Sequence, residues 1–262
     1  MTEALLLAVD DAVATISIND APFNLMTLEY VDALRDLFPK LVADDSIRAI
    51  VFTAEGLDHF SAGMNLKQIP EGIQRAGSSG AFFQERLDLL DQIENSGKPC
   101  IATLFGFCLG GGLELPLACH FRLAAEEGAQ IGLPEMDLGA LPAWGGSARL
   151  PRCVGRTHAL DMILRAKKID GPEALRIGLV NEILPLEELK GAAHELAKTL
   201  AAQPRLAVRC VLETIVGFET KTLGESIADE QRAVRENRDT ADAREGMRAF
   251  LEKRRPVFNQ ES

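Results

Sequence analysis

Gly106-Phe107-Cys108-Leu109-Gly110-Gly111-Gly112-Leu113-Glu114 is the stretch around which the chain is organised. An apolar run at 100–104 precedes it and indicates a buried strand, and the apolar residues after Glu114 indicate a helix. The glycines therefore lie where a strand turns into a helix. Backbone N–H groups at a helix start lack intrahelical partners, and glycine lets another molecule approach them closely. This turn, with a carboxylate two residues after its last glycine, predicts chemistry on a carbonyl that becomes an oxyanion.

Length and charge limit the classes of protein that the chain can represent. Its 262 residues suffice for one large domain, or for a core with an appended helical part. The formal net charge of −11 argues against nucleic acid as a partner. No apolar run approaches the roughly 20 residues that a membrane helix requires. We therefore expect a globular protein with no signal peptide and no membrane segment.

The cysteines and histidines give no sign of disulfides or metal binding. There are five cysteines, an odd number, and no pair of them has a CxxC spacing. The four histidines have no metal-ligand spacing either. We expect reduced thiols, no metal site and a cytoplasmic location.

Strands and helices alternate in the first part of the chain, and helices alone follow from residue 186. This change predicts a core of mostly parallel βαβ units at 1–190 and a helical region at 191–262. Thr27 is a predicted N-cap, and the Gly- and Ser-rich segment 70–80 predicts a mobile loop. The predicted strands are 5–9, 13–18, 49–53, 100–104, 119–125, 130–132 and 179–184.

Several segments together resemble those of the enoyl-CoA hydratase/isomerase, or crotonase, superfamily. They follow the family's order and span almost the whole chain. The segments are Phe60 to Lys67, Gly106 to Glu114, Pro134-Glu135, Pro142 to Leu150 and Arg244 to Arg254. The resemblance implies an α/β fold, a crotonase-like spiral of ββα units followed by a C-terminal helical trimerisation region. It also implies an acyl-CoA thioester as substrate, no separate cofactor, and a homotrimer or dimer of trimers.

The resemblance also assigns roles to individual residues. The backbone N–H groups of Met64 and Gly111 are expected to bind the thioester oxygen, and Glu114 and Glu135 are expected to hold the reacting water. The expected contacts with the acyl group and coenzyme A come from seven further residues, of which Phe250 and Lys253 are expected near coenzyme A, either in their own subunit or on the ligand of a neighbouring one. The seven residues are Ala62, Asn65, Leu66, Lys67, Trp144, Phe250 and Lys253.

The chemistry of hydration independently calls for two N–H donors and two carboxylates. Adding water across a double bond conjugated to a thioester places negative charge on the thioester oxygen, which two preorganised N–H donors stabilise. One carboxylate can accept a proton from water while another supplies one to the α-carbon. Two neighbouring carboxylates repel each other, so that at least one pKa is expected to rise. The sequence does not show which of them stays protonated.

Three functions remain open at this point. The first is an enoyl-CoA hydratase, which the pair Glu114 and Glu135 favours. The second is a Δ3,Δ2-enoyl-CoA isomerase, which can work with one carboxylate, and the third is a non-catalytic acyl-CoA-binding member of the fold. Three departures from the family pattern accompany them: His120 in place of Asp, Pro116 within a helix, and the bulky Trp144 at the acyl pocket. Asp137 is a nearby carboxylate for which we expect no direct role.

Overall fold

The computed structural model describes residues 3–260, apart from the side chain at position 219. Its main sheet has six strands, of which the first lies antiparallel to the second and all others pair in parallel. A second, small parallel sheet has two strands. In chain order the strands are β1 Leu5–Asp10, β2 Val13–Ile18, β3 Ala49–Ala54, β4 Cys100–Leu104, β5 Phe107–Leu109, β6 Phe121–Ala125, β7 Gln130–Gly132 and β8 Glu182–Leu184.

The main sheet runs in the order β1-β2-β3-β4-β6-β8, and β5 pairs with β7. The central strands β3 and β4 are buried at every residue, because helices and the second layer cover both faces. This explains why their sequences are continuous apolar runs rather than alternating ones.

Ten helices connect and cover the strands within residues 3–260. They are α1 Leu28–Ala43, α2 Ile69–Ala76, α3 Ser79–Glu94, α4 Gly111–Ala118, α5 Gly146–Leu164, α6 Gly171–Arg176, α7 Leu186–Ala201, α8 Arg205–Val216, α9 Leu223–Asn237 and α10 Ala241–Leu251. Short 3-10 turns stand at Leu66–Gln68, Glu135–Leu138 and Phe218–Thr220. The predicted cap of α1 is confirmed, since the Thr27 side chain accepts a hydrogen bond from the Tyr30 N–H at 3.1 Å.

The chain winds as a spiral. A strand of the main sheet leads to a short strand of the second sheet and then to a helix, as in β4-β5-α4 and β6-β7-α5. Ser61 extends the second layer through a bridge to Cys108. The predicted α/β spiral of ββα units is confirmed, and it brings successive strand-to-helix turns to one edge.

The segment 70–80 is not the mobile loop that its Gly and Ser content predicted. It contains most of α2 and the start of α3, and only residues 77 and 78 separate the two helices. Gly77, with a φ of 80°, ends α2, and the Ser78 side chain caps α3. The glycine and serine that indicated a loop are thus the C-cap and N-cap of adjoining helices.

The predicted boundary near residue 190 falls inside α7. The buried face of that helix carries Leu189, Ala193 and Ala197. The Lys190 ammonium donates to the Ala54 and Gly56 carbonyl oxygens at 2.6 and 2.7 Å, which ties α7 to the end of β3. The helices that follow, α8 to α10, expose many apolar side chains, among them Phe250. The division into 1–190 and 191–262 stays a prediction. Among residues 3–260 no helix has the length and apolarity needed to span a membrane.

Candidate active site

The glycine turn passes directly from β5 into α4. Gly110 precedes the helix with a φ of 54° and a ψ of −125°, a conformation that a side chain would disfavour. Its N–H donates to the Gly132 carbonyl oxygen at 3.1 Å, and its own oxygen accepts from the Glu114 N–H at 2.9 Å. These bonds fix the start of α4, so that the N–H of Gly111 points away from the helix.

The segment around Met64 lies against this turn. Ser61 exchanges backbone hydrogen bonds with Phe107 and Leu109 at 2.8 and 3.1 Å. A Cβ on Gly63 would stand 2.6 Å from the Leu109 oxygen and 3.6 Å from the Gly111 nitrogen. Neither the Met64 N–H nor the Gly111 N–H donates a hydrogen bond to the described chain. Two backbone donors without a partner among these residues therefore lie on adjoining segments.

The Glu114 carboxylate is enclosed by protein. Only 2% of the residue is exposed, and Oε1 accepts hydrogen bonds from the N–H groups of Trp144 at 2.8 Å and Gly146 at 2.9 Å. Burial raises the pKa of Glu114 to about 7, although those two amides oppose the rise. The nearby charge of Glu135 raises the pKa further, and that of Arg149 lowers it. This carboxyl group can thus gain or lose a proton near neutral pH.

Glu135 faces the same turn from the other side. One of its oxygens, Oε1, lies 2.9 Å from the point where a Cβ on Gly110 would stand. The other oxygen, Oε2, is buried and has no hydrogen-bond partner in the described structure. Burial raises the pKa of Glu135 as well. The two predicted carboxylates are therefore brought together beside Gly110 and Gly111, and Gly110 makes room for one of them.

Trp144 forms a wall of this site. Its indole Cζ3 lies 3.2 Å from the point where a Cβ on Gly111 would stand, so the ring packs directly beside one of the free N–H groups. The Arg86 guanidinium stacks on the Phe82 ring, 3.5 Å from its centroid, and lies 5.7 Å from the Trp144 centroid. The sequence analysis missed Arg86. The sequence feature that could have revealed it is a single charged residue among the apolar residues on the buried face of α3, where Arg86 is almost completely buried.

A second contact that the sequence analysis missed supports the Trp144 turn. The Arg149 guanidinium pairs with the Glu94 carboxylate at 2.7 Å and also donates to the Trp144 carbonyl oxygen at 3.2 Å. His120 ties the end of α3 to β4, because its Nδ1 accepts from the Cys100 N–H at 2.9 Å and its Nε2 contacts the Glu94 oxygen at 3.2 Å. Burial lowers the pKa of His120 to about 4, so the ring is neutral. His120 therefore has a structural role here.

The predicted coenzyme A residues divide into two groups. Asn65 caps the 3-10 turn by accepting from the Lys67 N–H at 3.2 Å, and Leu66 and Lys67 are exposed there. Ala62 donates its N–H to the Phe23 oxygen at 2.9 Å. These four residues adjoin Met64.

The C-terminal pair, Phe250 and Lys253, is not brought to the site. Phe250 is 79% exposed at the end of α10, and Lys253 follows it with its N–H bonded to the Phe250 oxygen. Within residues 3–260 no hydrogen bond or ion pair links either residue to the glutamates. Their proposed role therefore depends on a neighbouring copy of the chain.

The remaining acidic candidate is separate from the pair. Asp137 follows Glu135 by two residues on the 3-10 turn, but its side chain is exposed. In the described part of the chain no cluster of three or more His, Cys, Asp or Glu side chains could hold a metal ion. The groups that the described structure gathers at this turn are two carboxylates and two backbone N–H groups.

Comparison with known proteins agrees with this architecture. A ββα spiral of this kind defines the crotonase-fold proteins. The chain superposes on the crystal structure of an enoyl-CoA hydratase from Geobacillus kaustophilus with a TM-score of 0.93 and 32% identity, over 100% of this chain and 98% of that one. For an enoyl-CoA hydratase from Bacillus anthracis the TM-score is 0.89 at 30% identity, over 98% of this chain and 100% of that one.

The sequence comparisons identify the family. The chain belongs to the enoyl-CoA hydratase/isomerase family, whose sequence model matches residues 8–261. A Bacillus subtilis protein described as a probable enoyl-CoA hydratase is 36% identical over 259 residues, covering 98% of this chain and 99% of that protein. A fatty acid oxidation complex subunit alpha of Shewanella baltica is 34% identical over 225 residues, or 85% of this chain and only 31% of that longer subunit. The predicted resemblance to the crotonase superfamily is confirmed.

Proposed function

We propose that the protein is an enoyl-CoA hydratase that adds water to a 2-enoyl-CoA and gives a 3-hydroxyacyl-CoA. The water oxygen bonds to the β-carbon, one water proton goes to a carboxylate, and a carboxyl proton goes to the α-carbon. The observation that carries this proposal is the placement of Glu114 and Glu135 on either side of the turn that presents the Gly111 N–H. An isomerisation needs one such proton-transfer group, whereas hydration uses two.

The N–H groups of Met64 and Gly111 act as the oxyanion hole in this proposal. As water adds to the β-carbon, charge moves through the conjugated system onto the thioester oxygen. Two fixed donors stabilise that charge without having to reorganise, and losing one such donor typically costs about a hundredfold to a thousandfold in rate. The close contact of Gly63 with the 109–111 segment supports this role, because it aligns the two donors.

Coenzyme A is part of the substrate, and we propose that no separate cofactor takes part. Lys67, exposed beside Ala62, Asn65 and Leu66, supplies a local positive charge for the polyanionic ligand despite the acidic total. Exposed apolar side chains on α8 to α10 support assembly as a homotrimer or dimer of trimers, in which Phe250 and Lys253 reach the ligand of a neighbouring subunit. A cytoplasmic location fits the five free thiols.

Trp144 limits the acyl group in this proposal. Its ring packs beside Gly111, and the same residue's N–H holds Glu114. Replacing Trp144 by Phe shortens the wall and keeps that backbone bond. We expect Trp144→Phe to raise kcat/KM for longer or branched enoyl-CoAs relative to crotonyl-CoA by about tenfold, the effect of one or two methylene groups in an apolar pocket. Equal changes for all substrates would argue against this placement.

The test of the function is an assay of enoyl-CoA hydration with isosteric variants of each carboxylate. We expect Glu114→Gln and Glu135→Gln each to lower kcat by about a hundredfold to ten-thousandfold, because each removes one proton-transfer step. Glu127→Gln, at an exposed glutamate before β7, serves as the control and should retain wild-type turnover.

Three results would count against the proposal. Wild-type turnover by both Gln variants would show that the roles are wrongly assigned. Consumption of a 3-enoyl-CoA without incorporation of labelled water, and with no hydration of 2-enoyl-CoA, would indicate the isomerase. Binding of coenzyme A thioesters without turnover of any enoyl-CoA would indicate a non-catalytic member of the fold.

A further inference from the structure

One ion pair connects the end of α3 to the turn that holds Glu114. The Arg149 Nε donates to Glu94 Oε2 at 2.8 Å, and its Nη2 lies 2.7 Å from the same oxygen. The third nitrogen, Nη1, donates to the Trp144 carbonyl oxygen at 3.2 Å. Only 11% of the Arg149 side chain is exposed. All three guanidinium nitrogens of this largely buried side chain thus have a partner oxygen at a short distance.

The turn that Arg149 contacts binds the Glu114 carboxylate through backbone N–H groups. Its residues Trp144 and Gly146 direct their N–H groups at the same oxygen of Glu114, at 2.8 and 2.9 Å. Gly145 between them has a φ of 95°, and its oxygen accepts from the Arg149 N–H at 2.9 Å. Among the described residues, backbone hydrogen bonds therefore anchor the helical side of the turn and not the Trp144 carbonyl. The Trp144 peptide is held by the Arg149 side chain.

We propose that the Glu94–Arg149 pair is a positioning clamp that fixes the Trp144–Gly146 turn and, through its two amides, the orientation of the Glu114 carboxylate. The proposal rests on the catalytic role of Glu114 put forward above. Arg149 and Glu94 touch neither substrate nor reacting atoms in it, and they act through the turn. The clamp keeps Glu114 Oε1 occupied by amides, so that the other oxygen, Oε2, is the one presented to the reaction.

The charged groups around this unit are few. Glu114 interacts with Glu135 and Arg149, and Glu94 interacts with Arg149 and, at its carbonyl oxygen, with His120. In the wild type the Arg149 charge and the two amide hydrogen bonds both stabilise the Glu114 carboxylate. Loss of that charge and loosening of those bonds therefore both raise the pKa of Glu114. The titration of Glu114 is therefore expected to move to higher pH when the clamp is removed.

The experiment compares Arg149→Met, Arg149→Lys and Glu94→Gln with the wild type. Arg149→Met removes the whole clamp, Arg149→Lys keeps the charge but not the planar set of donors, and Glu94→Gln leaves Arg149 with a weaker partner. Arg165→Met is the control, because it removes an exposed 2.7 Å arginine–carboxylate pair at the far end of α5, beyond the kink at Gly155. kcat and KM are measured for crotonyl-CoA across pH, with the melting temperature of each variant.

We expect Arg149→Met to lower kcat by about tenfold to a hundredfold with KM changed less than about threefold, because a misplaced catalytic group costs rate rather than binding. The pH limb belonging to Glu114 should move to higher pH in Arg149→Met, and Arg149→Lys should recover part of both effects. Glu94→Gln, which keeps the Arg149 charge, should have a kcat between those of the wild type and Arg149→Met. An unshifted pH limb in all clamp variants, with activity lost only in proportion to folded protein, would overturn the proposal. Arg165→Met should match the wild type.

A second measurement keeps this proposal separate from the proposed function. The carboxyl carbons of glutamate are labelled with 13C, the Glu114 resonance is assigned with Glu114→Gln, and its titration is followed by NMR. An upward shift of its midpoint in Arg149→Met that persists in part in Arg149→Lys, where the charge is kept, and is absent in Arg165→Met supports the clamp even if no hydration is detected. A shift that Arg149→Lys abolishes completely is explained by the lost charge alone and overturns it. An unmoved midpoint in a folded variant overturns it, whatever the activity of the wild type.

Discussion

Glu114 stands on a helix whose eight residues are all buried, whereas Glu135 opens a 3-10 turn, Glu135–Leu138, most of which faces solvent. The Glu114 carboxylate receives two backbone hydrogen bonds. The Glu135 carboxylate leaves one buried oxygen without a partner in the described structure and lies against the bare Cα of Gly110. The two members of the proposed catalytic pair thus differ in burial and in hydrogen bonding, although both adjoin the glycine turn.

The comparison teaches how a protein can hold two carboxylates close together. One of them is built into the core, where neighbouring amides partly offset the free-energy cost of burial. The other is presented from a short surface turn, and its buried oxygen Oε2 has no hydrogen-bond partner in the described structure. We infer that the α4 side holds its carboxylate more rigidly than the turn side does, because two amides fix it.

The largest expected effect comes from disturbing the rigid side at Gly112. A Cβ there would collide with the backbone oxygen of Ser61, which cannot rotate away. We expect Gly112→Ala to lower the free energy of unfolding by about 3 kcal/mol or more, and to reduce the proposed hydration at least a hundredfold by separating the two proposed oxyanion donors. Chemical denaturation and the hydration assay measure the two effects.

The matching change on the turn side is Gly139→Ala. Gly139 ends the 3-10 turn with a φ of 66°, and a Cβ there would meet open space. Only the left-handed backbone is penalised, at about 1–2 kcal/mol, and hydration should change little. Equal losses of activity in the Gly112 and Gly139 variants would show that the two sides do not differ in rigidity.

The next effect concerns the dependence of stability on pH. Burial raises the pKa of Glu114 from 4.5 to about 7 in the folded protein, so the folded state holds a proton that the unfolded state has released. The contribution of this group to the free energy of unfolding, about 3 kcal/mol, is fully present below pH 4.5 and is lost as the pH rises through 7. We therefore expect Glu114→Gln to flatten the fall of unfolding free energy between pH 5 and 8.

Glu135→Gln should act in the same direction and less strongly, because its side chain is only half-buried and its pKa is also raised by burial. Urea titrations at pH 5, 6, 7 and 8 compare the two variants with the wild type. A larger effect of Glu135→Gln than of Glu114→Gln would reverse the assignment of which carboxylate belongs to the core.

The residue patterns predicted a mostly parallel α/β core for physical reasons that can be named, whereas the spiral of ββα units was predicted from the resemblance to the family. Continuous apolar runs such as Cys100–Leu104 mark strands buried on both faces, and Thr27 marks a helix start. The segment 70–80 failed because Gly77 and Ser78 are caps as well as loop formers, and composition does not separate the two uses. Local pattern therefore located the elements better than the junctions between them.

The contacts around Glu114 were beyond the sequence for a different reason. Glu94 and Arg149 are 55 positions apart, and no periodicity links the end of α3 to the first turn of α5. Arg86 was hidden because a charge on an apolar stripe is read as the edge of the buried face. The glycine turn and Glu114 were proposed because a predicted strand, a glycine turn and a predicted helix follow one another closely along the chain, and Gly111 was singled out by the resemblance to the family.

The smallest expected effect concerns Asp137, an exposed carboxylate on the same turn as Glu135. This carboxylate shares the turn with Glu135, but it is exposed, and its side chain makes no hydrogen bond to the part of the chain that the structure describes. We expect Asp137→Asn to change kcat/KM by less than about twofold and the unfolding free energy by less than about 0.5 kcal/mol. The same assay with Glu135→Gln provides the contrast, since the two positions differ in burial while sharing the turn. A loss above tenfold in Asp137→Asn would mean that the exposed side of the turn supplies the acid, and that the partnerless oxygen of Glu135 marks a positioning group instead.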